Sequence, residues 1–477
     1  MSFNDLEVWG SLNVIAVLLV TLLISNGLKR WVGFLRKSLI PTSVLGGLIL
    51  LGLSAIYKAI TGRVMFNEPF FGGDGMSYME IVTYHALALG FIASTLKSSK
   101  KKMTKKRSVE VFNTGVTTVA TYLMQAVLGL GITILAALIM TDFFAAAGVL
   151  LPFGYGQGPG QALNFGWMYE EQGFFGGKAF GLTIAGLGFL SASLGGVIHL
   201  MILKKQGKVR IIEEKDEVLS GDEVQPKGEI PMNGGLDKLT VQLGFIIGTY
   251  ILAFLVMYGL SFLFEPESNM IDTIFGFNFL IGVLMATLVK AVLNFCRKVK
   301  IVKRQYLNNF LLDRTSNFFF DIMVIASIAA IQLDLMKDYW GIMAILAVVG
   351  LVSTYLYNYF VARKLFKEYP EEQFLAMYGM LTGTASTGMI LLREMDPEFK
   401  TPVADNLVYQ NFPAIVFGFP LMMLANMAPE KPLITWFILV GFFIVMNVIL
   451  FRAQIFKKRK KVSVETEEVA AEPETEE

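Results

Sequence analysis

Cysteine and histidine are almost missing from this sequence. The single Cys296 excludes an intrachain disulfide and a cysteine-based metal cluster. The two histidines, His85 and His199, stand far apart, and each reads as a helix-packing or boundary residue in preference to a proton relay. Charge is scarce as well. Asp, Glu, Lys and Arg make up 17% of the 477 residues and hydrophobic types 54%. With a mean hydropathy of +0.56, lipid is the expected solvent. Catalytic signatures are also absent: there is no Walker A sequence, Gly-x-Ser-x-Gly elbow or His-Glu-x-x-His pair, which disfavours an ATP-driven pump or a membrane hydrolase and leaves an enzyme as the last reading.

What the sequence does have is long uncharged runs. Those at 14–28 and 437–451, with their flanks, reach the roughly 20 residues a helix needs to cross about 30 Å of hydrocarbon. Eleven spans are expected, near 8–28, 38–60, 78–96, 109–140, 178–203, 239–264, 271–295, 316–334, 340–362, 404–427 and 433–455. The first is not a cleavable signal, because Asp5 and Glu7 precede it and Lys29 and Arg30 follow it. Lys/Arg clusters follow every second span, at 29–37, 97–107, 204–210, 297–304, 363–367 and 457–461. The positive-inside rule then puts the amino terminus outside and the carboxyl terminus in the cytoplasm, in a cell (inner) membrane. Orientation accounts for these basic loops without nucleic acid.

Two further apolar stretches, about 143–169 and 373–392, would upset this charge alternation if either crossed singly. They are expected to be re-entrant hairpins, in and out on one side. The middle of the first, Leu151-Pro-Phe-Gly-Tyr-Gly-Gln-Gly-Pro-Gly-Gln161, has a composition that breaks a helix. The second, Gly379-Met-Leu-Thr-Gly-Thr-Ala-Ser-Thr-Gly388, surrounds its break with hydroxyl residues. The expected fold is therefore an all-α polytopic membrane protein. It has two inverted-topology repeats of five transmembrane helices, each with one re-entrant hairpin, at 1–203 and 239–427. A solvated cytoplasmic linker at 204–238, one additional C-terminal transmembrane helix at 428–456 and a basic-then-acidic disordered tail at 457–477 complete the chain.

Backbone that leaves the helix inside a membrane must find partners in protein, water or ligand. Half-helix N-termini hold anions, while carbonyls and hydroxyls replace the water shell of sodium. The expected site is therefore Gly154, Gly156, Gln157, Gly158, Gly160, Gln161 and Asn164 in the first tip, and Thr382, Gly383, Thr384, Ser386 and Thr387 in the second. The alternative for the glycines is close helix packing, the reading given to Gly186, Gly188, Gly195 and Gly196 in the fifth span. Charges within spans are the next candidates. Asp321 either binds a cation, pairs with a basic group or is simply interfacial, and Asp405 with Asn406 begins the tenth span. Arg393 reads as a surface ion pair with Glu394 or Asp396 before it reads as a substrate anchor.

The order of these elements, with Pro41-Thr-Ser-Val-Leu-Gly-Gly47, the 316–333 helix and Asn411-Phe-Pro413, resembles the bacterial sodium/glutamate symporter family, related in architecture to the sodium/citrate (2-hydroxycarboxylate) symporters. The likeness covers roughly residues 1–427. The Gln-Gly-Pro-Gly-Gln wording of the first tip, the 393–398 stretch and the eleventh span depart from the usual pattern. The resemblance implies sodium-coupled uptake of an acidic amino acid, probable substrates being L-glutamate or a related small carboxylate, by a homodimer with an elevator-like movement of the hairpin-bearing domain. Sodium would be the coupling ion, held by the tips, with no other cofactor. A proton-coupled carrier or exchanger of another organic ion, and a non-transporting membrane sensor or receptor, are the alternatives.

Overall fold

The apolar runs become helices in the computed structural model, which describes residues 5–97, 104–208, 221–226, 228–232, 235–265, 269–396 and 400–455. The first half holds α1 (Leu6–Trp31), α2 (Thr42–Thr61), α3 (Gly75–Leu96) and α4 (Lys105–Ala137), then a broken segment ending in α5 (Pro159–Glu171), then α6 (Gly177–Lys205). The second half holds α7 (Lys238–Ser261), α8 (Asn278–Lys298), α9 (Asn309–Ala329) and α10 (Trp340–Leu365). A second broken segment follows, α11 (Pro370–Thr382) and α12 (Ala385–Arg393), then α13 (Val403–Tyr409) and α14 (Asn411–Met427). The helix α15 (Pro432–Leu450) comes last. Each half thus runs through long helices, a broken segment and a further helical stretch.

Polar residues set the starts. Asp5, Thr104, Asp237 and Asn308 each accept a hydrogen bond from an N–H in the first turn of α1, α4, α7 and α9, satisfying donors that have no partner within the helix.

Among the described residues, nine helices are long and apolar enough to cross a membrane: α1, α2, α3, α4, α6, α7, α8, α10 and α15. Two of the eleven expected spans differ from these. The helix α9 carries Asp313, Arg314 and Asp321, and the expected tenth span is the pair α13 and α14, bent by 49°. Burial sorts the nine. The most apolar stretch of α4 is 61% buried and those of α3 and α6 are 50% buried, against 22–28% for the other six. The core therefore sits on α3, α4 and α6, and the other six turn apolar faces outward, as a lipid-solvated shell does.

Two charged residues of the 204–238 linker, Glu229 and Lys238, are buried. The linker therefore does not simply run through solvent. Glu229 and Lys238 form an ion pair at 2.8 Å with side chains 2% and 1% exposed, and Asn308 donates to the same carboxylate oxygen at 2.6 Å. Glu229 also bridges to Gln305, so the end of the linker docks against the start of α9. Residues 209–220 of that linker and the 457–477 tail lie outside the described residues.

Candidate functional site

The first broken segment changes helix type before it breaks. A 3-10 turn at Ala145–Val149 is followed by a π-helical turn at Pro152–Gln157, and the chain then reverses at Gly158. Pro152 and Pro159 lack the N–H that an α-helix needs, and Pro159 sits at the first position of α5, where that loss costs nothing. Gly158 has φ +90° and ψ 177°, a region that essentially only glycine occupies. The two legs lie side by side. Phe144 at the open end stacks on Phe174 at 4.8 Å and tilts against Tyr169 at 5.4 Å, and Phe153 stacks on Phe165 at 3.7 Å nearer the tip.

The second segment is a tighter hairpin. Its legs α11 and α12 touch through backbone, since a Cβ on Gly379 would lie 2.9 Å from the Gly388 Cα. The turn is Gly383 and Thr384.

Both hairpins lie along α6, running toward each other. From the start of α6, Gly181 packs on Ala162, Ala185 beside Gly154, and Gly188 against Tyr155. Beyond that level, Gly188 packs on the Thr382 carbonyl, Gly195 on Tyr378 and His199 on Phe374. Gly188 is thus the point where the two tips converge, about 16 Å into α6 at 1.5 Å per residue, near half the thickness of a bilayer core. A Cβ there would stand 2.5 Å from the Thr382 carbonyl oxygen and 3.1 Å from the Tyr155 ring. The tips also touch each other: a Cβ on Gly158 would lie 3.4 Å from the Thr384 methyl.

Side chains from the core pin this junction. Tyr155 donates its hydroxyl to the Ala347 carbonyl at 2.9 Å, so the Ser191 hydroxyl, also at 2.9 Å, is the donor to Tyr155. The Ser191 carbonyl accepts from Tyr378 at 2.8 Å. One residue of α6 thereby holds both hairpins. From α4, Gln125 donates to the Leu381 carbonyl and the Thr354 hydroxyl, both at 2.9 Å. The sequence marks Gly188 only as a packing glycine, and does not mark Tyr155, Gln125, Ser191 or Tyr378. The signal for Gln125 is a polar stripe on one face of an otherwise apolar helix: Thr114, Thr117, Thr118, Thr121 and Gln125, all at most 2% exposed.

Electrostatically the junction is built from dipoles. Neither 145–169 nor 373–392 contains Asp, Glu, Lys or Arg. The N-termini of α5 and α12 both begin at the breaks, and neither has a side-chain cap, so free N–H groups face the junction and favour negative charge. Four buried amide atoms there have no hydrogen-bond partner among the described residues: Gln157 Nε2, Gln161 Nε2 and Oε1, and Gln125 Oε1. Leaving such atoms unmet costs about 1–3 kcal/mol each. Thr384 and Thr387 place their hydroxyls 3.4 Å apart, with Ser386 half-buried on the same turn. Among the described residues no group of three or more His, Cys, Asp or Glu could hold a metal ion.

Several expected site residues stand elsewhere or are already occupied. Asn164 donates to the Gly276 carbonyl at 2.9 Å, tying the first hairpin to the short helix Asn269–Gly276. Thr382 returns its hydroxyl to the Tyr378 carbonyl. Gly160 packs on Leu87 and Gly156 on the Tyr122 ring. Asp321 is exposed and has Ser43 of α2 beside it. Asp405 pairs with Arg107 at 3.4 Å, and Asn406 lies buried by Tyr369, at the open end of the second hairpin. The histidines are satisfied within the fold, His85 by Tyr250 at 2.8 Å and His199 by Tyr355 at 2.7 Å and Glu371 at 3.1 Å. A groove between α14 and α15 is lined only by apolar residues such as Phe419, Met423 and Phe442, with nothing to orient a polar solute. No protein-family model matches this chain, and no curated protein matches it.

Proposed function

We propose that this chain is a secondary active transporter in which α5 with its preceding leg, and α11 with α12, are re-entrant hairpins of two inverted repeats. The observation that carries this reading is the convergence of two broken helical hairpins, from opposite ends of α6, on Gly188. Such discontinuous elements at mid-depth suit a solute that must be released from water on either side. The eleven-span topology, with α9 and the α13–α14 pair as the eighth and tenth spans, belongs to the same reading.

The chemistry favours a small carboxylate, of which L-glutamate is the leading candidate. Its carboxylates would sit at the N-termini of α5 and α12, and the unmet amides of Gln157 and Gln161 would bond its polar groups. Sodium would be co-transported. Carbonyls at the end of α11 and the hydroxyls of Thr384, Ser386 and Thr387 are hard oxygen donors of the kind it takes. The hairpins with α6 would move as one unit against the outer helices, in an elevator-like motion within a homodimer. Counterflow in proteoliposomes tests the proposal: labelled glutamate should accumulate on an inward sodium gradient and be displaced by small dicarboxylates. Uptake indifferent to sodium would remove the coupling, and no competition by any dicarboxylate would remove the substrate class.

A further inference from the structure

A second cluster of buried polar side chains lies away from the junction, at the open end of the second hairpin. Three elements each contribute two polar residues one turn apart: Glu110 and Thr114 from α4, Tyr369 and Gln373 from the N-cap and first turn of α11, and Asn406 and Gln410 from α13 and its C-cap. They form one cluster. The Tyr369 hydroxyl faces Glu110 and Asn406 without hydrogen-bonding geometry to either. Gln373 donates to Thr114 at 3.3 Å, and Thr114 donates to the Glu110 carbonyl at 2.8 Å. Gln410 reaches the Met380 sulfur at 3.5 Å.

Among the described residues, most of the oxygens in this cluster have no hydrogen-bond partner. Glu110 Oε2, Tyr369 Oη, Gln373 Oε1, Asn406 Oδ1 and Gln410 Oε1 are buried with no hydrogen-bond partner among the described residues, as is Asn406 Nδ2. Asn406 is 0% exposed, Gln373 1% and Gln410 2%. Arg107 does not close the gap. Its guanidinium pairs with Glu110 Oε2 at 3.5 Å, beyond hydrogen-bonding geometry, and is divided among that oxygen, Asp405 at 3.4 Å and the Pro402 carbonyl at 3.3 Å. The neighbouring Lys106 and Glu368 pair with each other at 2.7 Å on the surface. A carboxylate, a phenol and three amide carbonyls form a set of hard oxygen donors, which suits an alkali cation better than a soft metal or an anion.

We infer that Glu110, Tyr369, Gln373, Asn406 and Gln410 form a sodium-binding site separate from the tip junction, bracing the base of the second hairpin against α4. Because Gln373 lies on α11 and Tyr369 is its N-cap, an ion here would couple the position of that hairpin to cation concentration. The inference goes beyond the transport reading and is tested without transport. Equilibrium binding of radioactive sodium to the purified full-length protein in detergent, with choline chloride holding ionic strength constant, gives affinity and number of sites. Glu110→Gln and Asn406→Leu should each remove one bound sodium, while Thr384→Ala should retain this site. Tyr369→Phe, which deletes one oxygen and disturbs little else, should weaken it by about tenfold. If all three of these variants bind sodium with wild-type affinity and stoichiometry, or if the wild type binds none, the inference is wrong and the cluster holds no sodium. An absence of glutamate uptake would count against the transport reading but leave this result standing.

Discussion

Gly188→Ala is the substitution whose effect the structure fixes most closely. The new methyl would stand 2.5 Å from the Thr382 carbonyl oxygen, roughly 1 Å inside the ordinary contact distance of about 3.5 Å. It would also meet the Tyr155 ring at 3.1 Å, so both hairpins must give way. Overpacking of this kind costs about 1–3 kcal/mol. Gly186→Ala on the same helix supplies the reference, because its methyl would meet only the Ile331 side chain at 3.7 Å. Both changes gain about 0.5–1 kcal/mol from replacing a mid-helix glycine, so the difference between them isolates the crowding. Gly186→Ala should be neutral or slightly stabilising in thermal unfolding, with normal counterflow. Gly188→Ala should be less stable than Gly186→Ala by about 1–3 kcal/mol and should lose most counterflow, since it wedges the two tips apart. Equal stability and equal transport for the two variants would refute the convergence of the hairpins on this residue.

Gly158→Ala forces a side chain into φ +90° and should cost about 1–3 kcal/mol in unfolding experiments while abolishing uptake. Gln125→Leu leaves the Leu381 carbonyl without its donor, an expected loss of about 1–3 kcal/mol, visible as faster amide exchange at the end of α11. Glu229→Gln strands the buried Lys238 ammonium and should destabilise the chain by about 3–5 kcal/mol, whereas replacing both residues by methionine should recover most of it. The Lys58 ammonium bonds Asp334 and holds its carboxyl below the usual carboxylate range. A carboxyl with a depressed folded-state value adds stability above its unfolded value and loses it as pH falls. Any advantage over Asp334→Asn should thus be small at neutral pH, because both groups are half-exposed, and should decline as pH falls below about 4 and be lost as it passes the carboxyl's lower folded-state value.

The breaks were legible because proline and glycine act locally: Pro152, Gly158 and Pro159 decide backbone geometry wherever the fold puts them. Where the tips point was not. Gly186 and Gly188 look alike in a sequence, both reading as packing glycines, yet only Gly188 meets the tips. Asn164 looked like a free amide of the first tip, but its partner is the Gly276 carbonyl 112 residues away. Asp405 and Asn406 begin the tenth span just after the second hairpin and were candidate binding residues on that ground. The chain returns from the tip through α12 before reaching them, so they lie at the hairpin's open end beside Arg107 and Tyr369. Charge composition likewise suggested a solvated linker, and could not show that Glu229 and Lys238 would find each other and Asn308.

The central claim is that the two hairpins enter from opposite faces of a membrane, and the direct measurement is sidedness. With Cys296 replaced by serine, Phe175→Cys at the open end of the first hairpin and Glu368→Cys at that of the second can be labelled singly in intact cells with a membrane-impermeant maleimide. Phe175 is 76% exposed, and the Glu368 side chain 69% exposed, so neither substitution disturbs packing. One cysteine should react from outside and the other only after the membrane is opened. Reaction of both from the same face would contradict the account.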